Sequence, residues 1–248
     1  MIKHLTDNVY PGRGIVVGKD TNNNSVIVYW IMGRSTNSRN RIFVNNNYIV
    51  STEPKDPKLV EDPSLIVYNA MRDTENYMIV TNGSQTDTIY EQLAHGRNFI
   101  ESLSGVDFEP DAPNYTPRIS AVVSKHTGNV DICVISRNHT GQSDRKFYSY
   151  SDIEPGIGYC VTTYLGDGDP LPSFNLDPIL LPLEDNIKET YWNALNTDNR
   201  ISLMTRVNDE VSIINCLLYT SPSQRDSGAA GLAASGWKKK GGGGGGVW

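Results

Sequence analysis

Cysteine is scarce in this sequence: Cys133, Cys160 and Cys216 are the only three in 248 residues, and no two share a CxxC spacing. Neither a disulfide framework nor a zinc knuckle can be built on that pattern, so the three read as small core side chains. Histidine is nearly as rare. His4, His95, His126 and His139 show no ligand spacing, and no metal is expected. No stretch approaches the roughly 20 apolar residues of a membrane span, and Met1-Ile2-Lys3-His4 lacks the apolar run of a secretory signal. The expectation is a cytoplasmic chain without a membrane partner. Positive charge is also in deficit, 22 Lys and Arg against 28 Asp and Glu for a net −6. That balance argues against a broad nucleic-acid surface, while leaving room for a few arginines in one pocket.

Sequence complexity runs out at the C-terminus. Beyond residue 216 comes Leu217-Leu218-Tyr219-Thr220-Ser221-Pro222-Ser223, then an Ala/Gly stretch, then lysine at 238–240 and glycine at 241–246. Lysine encoded by AAA followed by glycine encoded by GGG is what homopolymeric nucleotide runs give, and the segment before it resembles a translated sequencing adapter. Residues 216–248 are therefore expected to be disordered read-through, and residues 1–215 a single domain cut short at its C-terminus; a Gly-rich flexible tail with a basic cluster is the biological alternative. The tail holds four positive charges and one negative, so the expected domain is three units more acidic than the whole chain.

What remains is rich in short β-branched runs separated by turn signals. Residues 14–18 and 25–32 flank a polar loop suited to a hairpin. Further strands are expected at 41–44, 48–51, 65–72, 77–81, 118–124, 130–136, 146–150 and 159–164. Helical spacing of Ile89, Leu93, Ile100 and Leu103 predicts one helix over 86–103, and 185–195 is a second candidate. Two strand blocks, each followed by a helix, suit an α+β protein with sheet packed on sheet and helices outside.

Four clusters can carry chemistry. Gly33-Arg34-Ser35-Thr36-Asn37-Ser38-Arg39-Asn40-Arg41 packs three arginines among small polar residues, a composition that can wrap a phosphate or simply form a solvated loop. In Tyr68-Asn69-Ala70-Met71-Arg72, strand alternation puts Tyr68 and Arg72 on one face and Asn69 on the other. A tyrosine sharing a face with an arginine is a candidate proton donor, with plain packing as the alternative. Asn82-Gly83-Ser84-Gln85-Thr86-Asp87 ends a strand in a tight turn that opens a helix, a setting for an anion or carbonyl oxygen or merely a capped helix. Phe108-Glu109-Pro110-Asp111 precedes Thr116-Pro117-Arg118-Ile119, offering two acids and an arginine at a strand start. By contrast, residues 14–19 lack phosphate-loop spacing, and Asp167-Gly168-Asp169-Pro170 lacks the oxygen ligands of a calcium loop.

Taken in order, these motifs and Thr162-Thr163-Tyr164 resemble the archaeal-type IMP cyclohydrolases from Tyr10 to about Tyr164, most specifically over residues 82–88. The resemblance implies a four-layered αββα fold like that of the N-terminal-nucleophile hydrolases, two mainly antiparallel sheets packed face to face, without their self-processed nucleophile. It implies a purine-nucleotide substrate, cofactor-free chemistry and a site lysine late in the chain. No lysine stands in 191–200, and Lys188 lies outside that stretch. The implied reaction converts 5-formamidoimidazole-4-carboxamide ribonucleotide to IMP with loss of water. An amide nitrogen is a poor nucleophile, so such a site must align two groups, accept one proton and supply another. Tyr68 is the proton-transfer candidate, Glu109 its counterpart and Arg34 a catalytic cation. Arg39 and Arg118 are assigned to the phosphate or carboxamide, and Asn69, Asn82 and Ser84 to the base or formyl oxygen. Arg41, Arg72, Gly83, Thr86 and Asp87 complete the expected substrate-binding set. An amidohydrolase on the same fold, a noncatalytic nucleotide-binding paralogue and a homo-oligomeric state stay open.

Overall fold

The computed structural model describes residues 2–60, 63 and 66–216. The expected read-through from 217 onward lies outside the described residues, as does Leu65 at the start of one expected strand. After a short helix, α1 (Lys3–Thr6), the chain forms the expected hairpin of β1 (Gly14–Lys19) and β2 (Ser25–Met32). Asp20 closes its loop by accepting from the backbone N–H groups of Asn22 and Asn24. One helical turn, α2 (Thr36–Arg39), leads to β3 (Ile42–Asn46), β4 (Ile49–Glu53), β5 (Tyr68–Asp73) and β6 (Tyr77–Thr81).

The single helix expected over 86–103 is two: α3 (Gln85–Ala94) and α4 (Phe99–Ser102). Gly96, at φ +78°, takes the left-handed conformation that ends a helix. Asn98 then starts the next one with a capping box to Glu101. The chain continues through β7 (Arg118–Ser124), β8 (Val130–Arg137), β9 (Ser143–Tyr150), β10 (Ile157–Thr162) and β11 (Ile179–Pro182). Then come α5 (Ile187–Ala194) and a closing hairpin, β12 (Arg200–Val207) with β13 (Glu210–Asn215), beyond the two expected strand-then-helix blocks.

Strands β3 to β9 make a seven-stranded antiparallel meander in chain order, and the other sheet runs β11-β10-β1-β2-β12-β13. The alternation in β2 shows why four layers form: Ile27, Tyr29 and Ile31 enter the core between the sheets, while Val26, Val28, Trp30 and Met32 face α1 and α5 with Leu5, Tyr191 and Ala194. On the opposite side Ile79, Val122, Cys133 and Ile135 pack under Ile89 of α3 and Phe99 of α4. The architecture is thus the expected αββα sandwich, and strands covered on both faces explain the near-continuous apolar runs. Asn215, the last residue of β13, donates to the Phe43 carbonyl and accepts its N–H, tying the edge of one sheet to the other. Among the described residues no helix is long and apolar enough to cross a membrane, and no cluster of three or more His, Cys, Asp or Glu stands ready to hold a metal.

Candidate active site

A cavity of about 380 Å³ opens where the start of β1, the loop around α2, the 109–116 loop and the end of β10 meet. Its inner end is built on Arg13, which the sequence motifs do not single out. Gly12 just before it has φ +71°, and a Cβ there would lie 2.2 Å from Thr163 Oγ1. Only glycine lets the chain lie this close to Thr163, so the Gly12-Arg13-Gly14 series is the signal that motif reading passes over. Arg13 is buried and forks onto Glu109, with Nη1 2.9 Å from Oε1 and Nη2 2.7 Å from Oε2, and Nη1 also donates to the Asn82 carbonyl at 2.9 Å. Three of its five N–H groups are thereby taken, leaving Nε–H and one Nη2 hydrogen for a ligand. Burial, the largest single influence, would lower the Arg13 pKa, but attraction to Glu109, its hydrogen bonds and the neighbouring Tyr68 and Tyr29 together outweigh it and the net direction is upward. Arg118 approaches the same carboxylate at 3.3 Å yet goes the other way, because burial dominates there and Arg13 repels it.

Asp111, Thr116, Thr163 and Tyr164 share this end of the cavity. Thr163 Oγ1 accepts the Arg13 backbone N–H at 3.1 Å. Asp111 is hydrogen-bonded by both the backbone N–H and the hydroxyl of Thr116, and Thr116 Oγ1 lies 2.6 Å from Tyr164 Oη. Burial raises the Asp111 carboxyl above its ordinary 3.8 and pushes Tyr164 up to about 12. The outer end is the Arg34 loop, with Ser35, Asn37, Ser38 and Arg41 lining it. Arg34 lies 4.0 Å over the Tyr10 ring and pairs with the exposed Asp167 at 2.6 Å.

The expected site residues divide in three. Arg34, Arg41 and Glu109 line the cavity. Arg118, Asn82 and Gly83 support it from behind. The Asn82 side chain donates to the Pro117 carbonyl and accepts from Ile119 N–H, and a Cβ on Gly83 would sit 1.7 Å from Arg118 Nη1. The others lie elsewhere. Arg39 donates to the carbonyls of Gly33 and Asp198, Thr86 Oγ1 meets Thr81 Oγ1 at 2.6 Å, and Ser84 is exposed on the surface. Tyr68 is buried, with its hydroxyl 2.7 Å from that of Tyr29. Asn69 and Arg72 both donate to the Asp87 carboxylate at the α3 side of the sheet.

That last cluster corrects the expected facing of β5. The register between β4 and β5 slips after Val50 opposite Met71, so that Ser51 pairs with Asn69. The extra residue lets Tyr68 and Met71 both face the inter-sheet core, while Asn69 and Arg72 share the outer face. A bulge of this kind breaks the period of two on which the alternation argument depends. Lys188 sits on α5 and pairs with its neighbour Glu189 at 3.4 Å, away from the cavity.

A family model described as IMP cyclohydrolase-like protein matches residues 10–212. The IMP cyclohydrolase of Methanocella arvoryzae is 35% identical over 128 residues, 50% of this chain and 62% of that protein. That of Methanopyrus kandleri is 33% identical over 125 residues, covering 48% and 61%. The chain thus spans about three-fifths of the length of these two relatives. That of Methanococcus maripaludis is 32% identical over 161 residues, or 63% of this chain and 75% of that protein. With a model match running from the Tyr10 strand entry into β13, this chain belongs to the IMP cyclohydrolase-like family.

Proposed function

We propose that the protein is an IMP cyclohydrolase of purine biosynthesis, closing 5-formamidoimidazole-4-carboxamide ribonucleotide to IMP with release of water in the cytoplasm. The observation that carries this reading is the union, in one cavity, of a cationic polar rim with an inner set of hydroxyl and carboxyl groups, in a chain of this family. About 380 Å³ is within the roughly 300–1,000 Å³ usual for small-molecule sites.

The rim supports phosphate binding. Arg34 and Arg41 supply charge, and Ser35, Asn37 and Ser38 supply short donors. The inner end supports ring closure. The free N–H groups of Arg13 would draw the formyl oxygen and make its carbon the better electrophile for the carboxamide nitrogen. Glu109 spends both oxygens on Arg13, so its part is to hold that guanidinium against the cavity floor. Tyr68, hydrogen-bonded to Tyr29 in the core, does not line the cavity and takes no direct part in the step. Holding amide and formyl groups in contact removes much of the entropic cost of the step.

Incubating the purified protein with the formamido nucleotide and following absorbance for IMP tests the proposal. Ring closure supports it. Tight nucleotide binding without any IMP points instead to a binding paralogue, and release of formate to a hydrolase.

A further inference from the structure

We infer that Tyr164, Thr116 and Asp111 form a proton relay that takes up the proton released at the cavity when the new ring bond forms. The inference rests on the ring-closing reading and adds the route by which the amide proton leaves.

The chain of contacts is continuous and directional. Asp111, Thr116 and Tyr164 all line the cavity. An ionised carboxylate only accepts hydrogen bonds, so the Thr116 hydroxyl must point its proton at Asp111 Oδ2. Its oxygen is then left to accept, which makes Tyr164 the donor in the 2.6 Å contact between the two hydroxyls. With its own proton spent on Thr116, Tyr164 Oη turns lone pairs toward the cavity and is an acceptor for a substrate N–H. Tyr164 is held in place. Its ring stacks on Tyr10 at 6.0 Å and 18°, and its backbone N–H donates to the Pro11 carbonyl at 3.1 Å.

In the step itself the carboxamide N–H bond breaks as the new N–C bond forms to the formyl carbon, and the C=O π pair moves to the formyl oxygen. The amide proton passes to Tyr164 Oη, the tyrosine proton to Thr116 Oγ1, and the threonine proton to Asp111. Returned by the same route, that proton converts the formyl oxygen to a hydroxyl. The hydroxyl departs as water with a second proton, from the formamido nitrogen, leaving the ring C=N bond. Tyr164 and Thr116 stay neutral throughout, which matters because burial makes a free Tyr164 phenolate costly.

The charged and titratable groups around Asp111 are Glu109, which disfavours its ionisation, Arg13 and Arg118, which favour it, and Tyr164 beyond Thr116. With burial the largest influence, the carboxyl sits above 3.8. Glu109 is the other carboxyl of the cavity, but the Arg13 fork occupies it.

The test combines turnover with a readout that needs no turnover. In wild-type enzyme, kcat/KM should rise with pH along an acidic limb set by Asp111. Asp111→Asn and Thr116→Val should each lose about 100-fold or more in kcat, the lower end of general acid–base contributions, with KM within about threefold and the acidic limb gone. Thr116→Ser, which keeps the hydroxyl, should restore kcat to within about threefold of wild type. In protein carrying 13Cζ-labelled tyrosine, the Tyr164 resonance, identified by its loss in Tyr164→Phe, should shift as Asp111 titrates and cease to do so in Thr116→Val. Wild-type kcat and an intact limb in Thr116→Val would overturn the relay, and so would a Tyr164 resonance indifferent to Asp111. If wild-type protein makes no IMP, the ring-closing reading falls by that result alone, while the resonance still decides whether the three groups are coupled.

Discussion

Arg34 reaches the cavity rim from a largely solvated position, stacked on Tyr10 and paired with Asp167, whose side chain is 58% exposed. An exchange of that exposed carboxylate for a substrate phosphate leaves the reacting end untouched. Arg34→Ala should therefore raise KM about tenfold and leave kcat within about twofold in steady-state assays, as expected where ground and transition states are bound equally. Asp111 makes a different prediction. Its pKa is raised in the folded state, so the contribution it makes to stability is fully present below its ordinary 3.8 and is lost as pH rises through the folded value. At pH 7 the ionised carboxylate is thus a cost, and Asp111→Asn should melt no lower than wild type by calorimetry even as turnover falls. A melting temperature several degrees lower would show instead that the ionised form is the one the fold prefers. At this scale three residues of the sequence motifs, Arg34, Arg41 and Glu109, line the cavity. The motifs passed over Arg13, because a lone arginine between glycines looks ordinary until Thr163 is seen against it.

Between elements, the register slip separating β4 from β5 decides what the Tyr68–Arg72 segment can reach. Arg72 and Asn69 meet Asp87 on α3, and the Arg72 guanidinium also lies 3.6 Å over the Tyr90 ring. The Asp87 side chain is 39% exposed, so solvent screens the pair and its loss costs about 1 kcal/mol or less. Asp87→Ala should accordingly shift the urea midpoint slightly and leave KM for the nucleotide unchanged; a large rise in KM would place this cluster in the binding site. The same scale shows where period-based reading stops. It found the helical face of 86–103 but not the break at Gly96, whose signal is a backbone conformation more than a hydrophobic pattern. It found no strand at 200–207, where Ser202, Thr205 and Arg206 interrupt the apolar run even though all three are buried in β12.

At the scale of the whole molecule, Arg206 explains that interruption. It is 1% exposed on β12 of one sheet and reaches Asp73 on β5 of the other, with both Nη atoms bonded at 2.6 and 2.8 Å. Lys125 at the end of β7 adds a contact to Asp73 at 2.9 Å. Asp209 also meets Arg206, at 3.2 Å, but its side chain is 88% exposed and screened by solvent, so breaking the Asp73 pair removes the main counter-charge of a buried guanidinium, a loss of about 3 kcal/mol. Asp73→Asn should lower the denaturant midpoint by a matching amount with the slope m unchanged, and a loss well below 1 kcal/mol would mean that Lys125 and Arg206 find water or other acceptors. Arg206 clasps the two sheets, so its role is visible only when both are present.

Local patterning in the sequence determined most strand and helix positions, the sheet-on-sheet class and the family motifs, because burial on both faces of a strand imposes apolar runs that can be read one residue after another. The tertiary structure alone decided which polar residues meet. Arg13, Glu109, Thr116 and Tyr164 are separated by up to 151 positions, and what unites them is β1 pairing with β10 beside the folded 109–116 loop. Pairings over such distances come from strand register and loop closure, and neither composition nor spacing along the chain encodes which side chains they bring into contact.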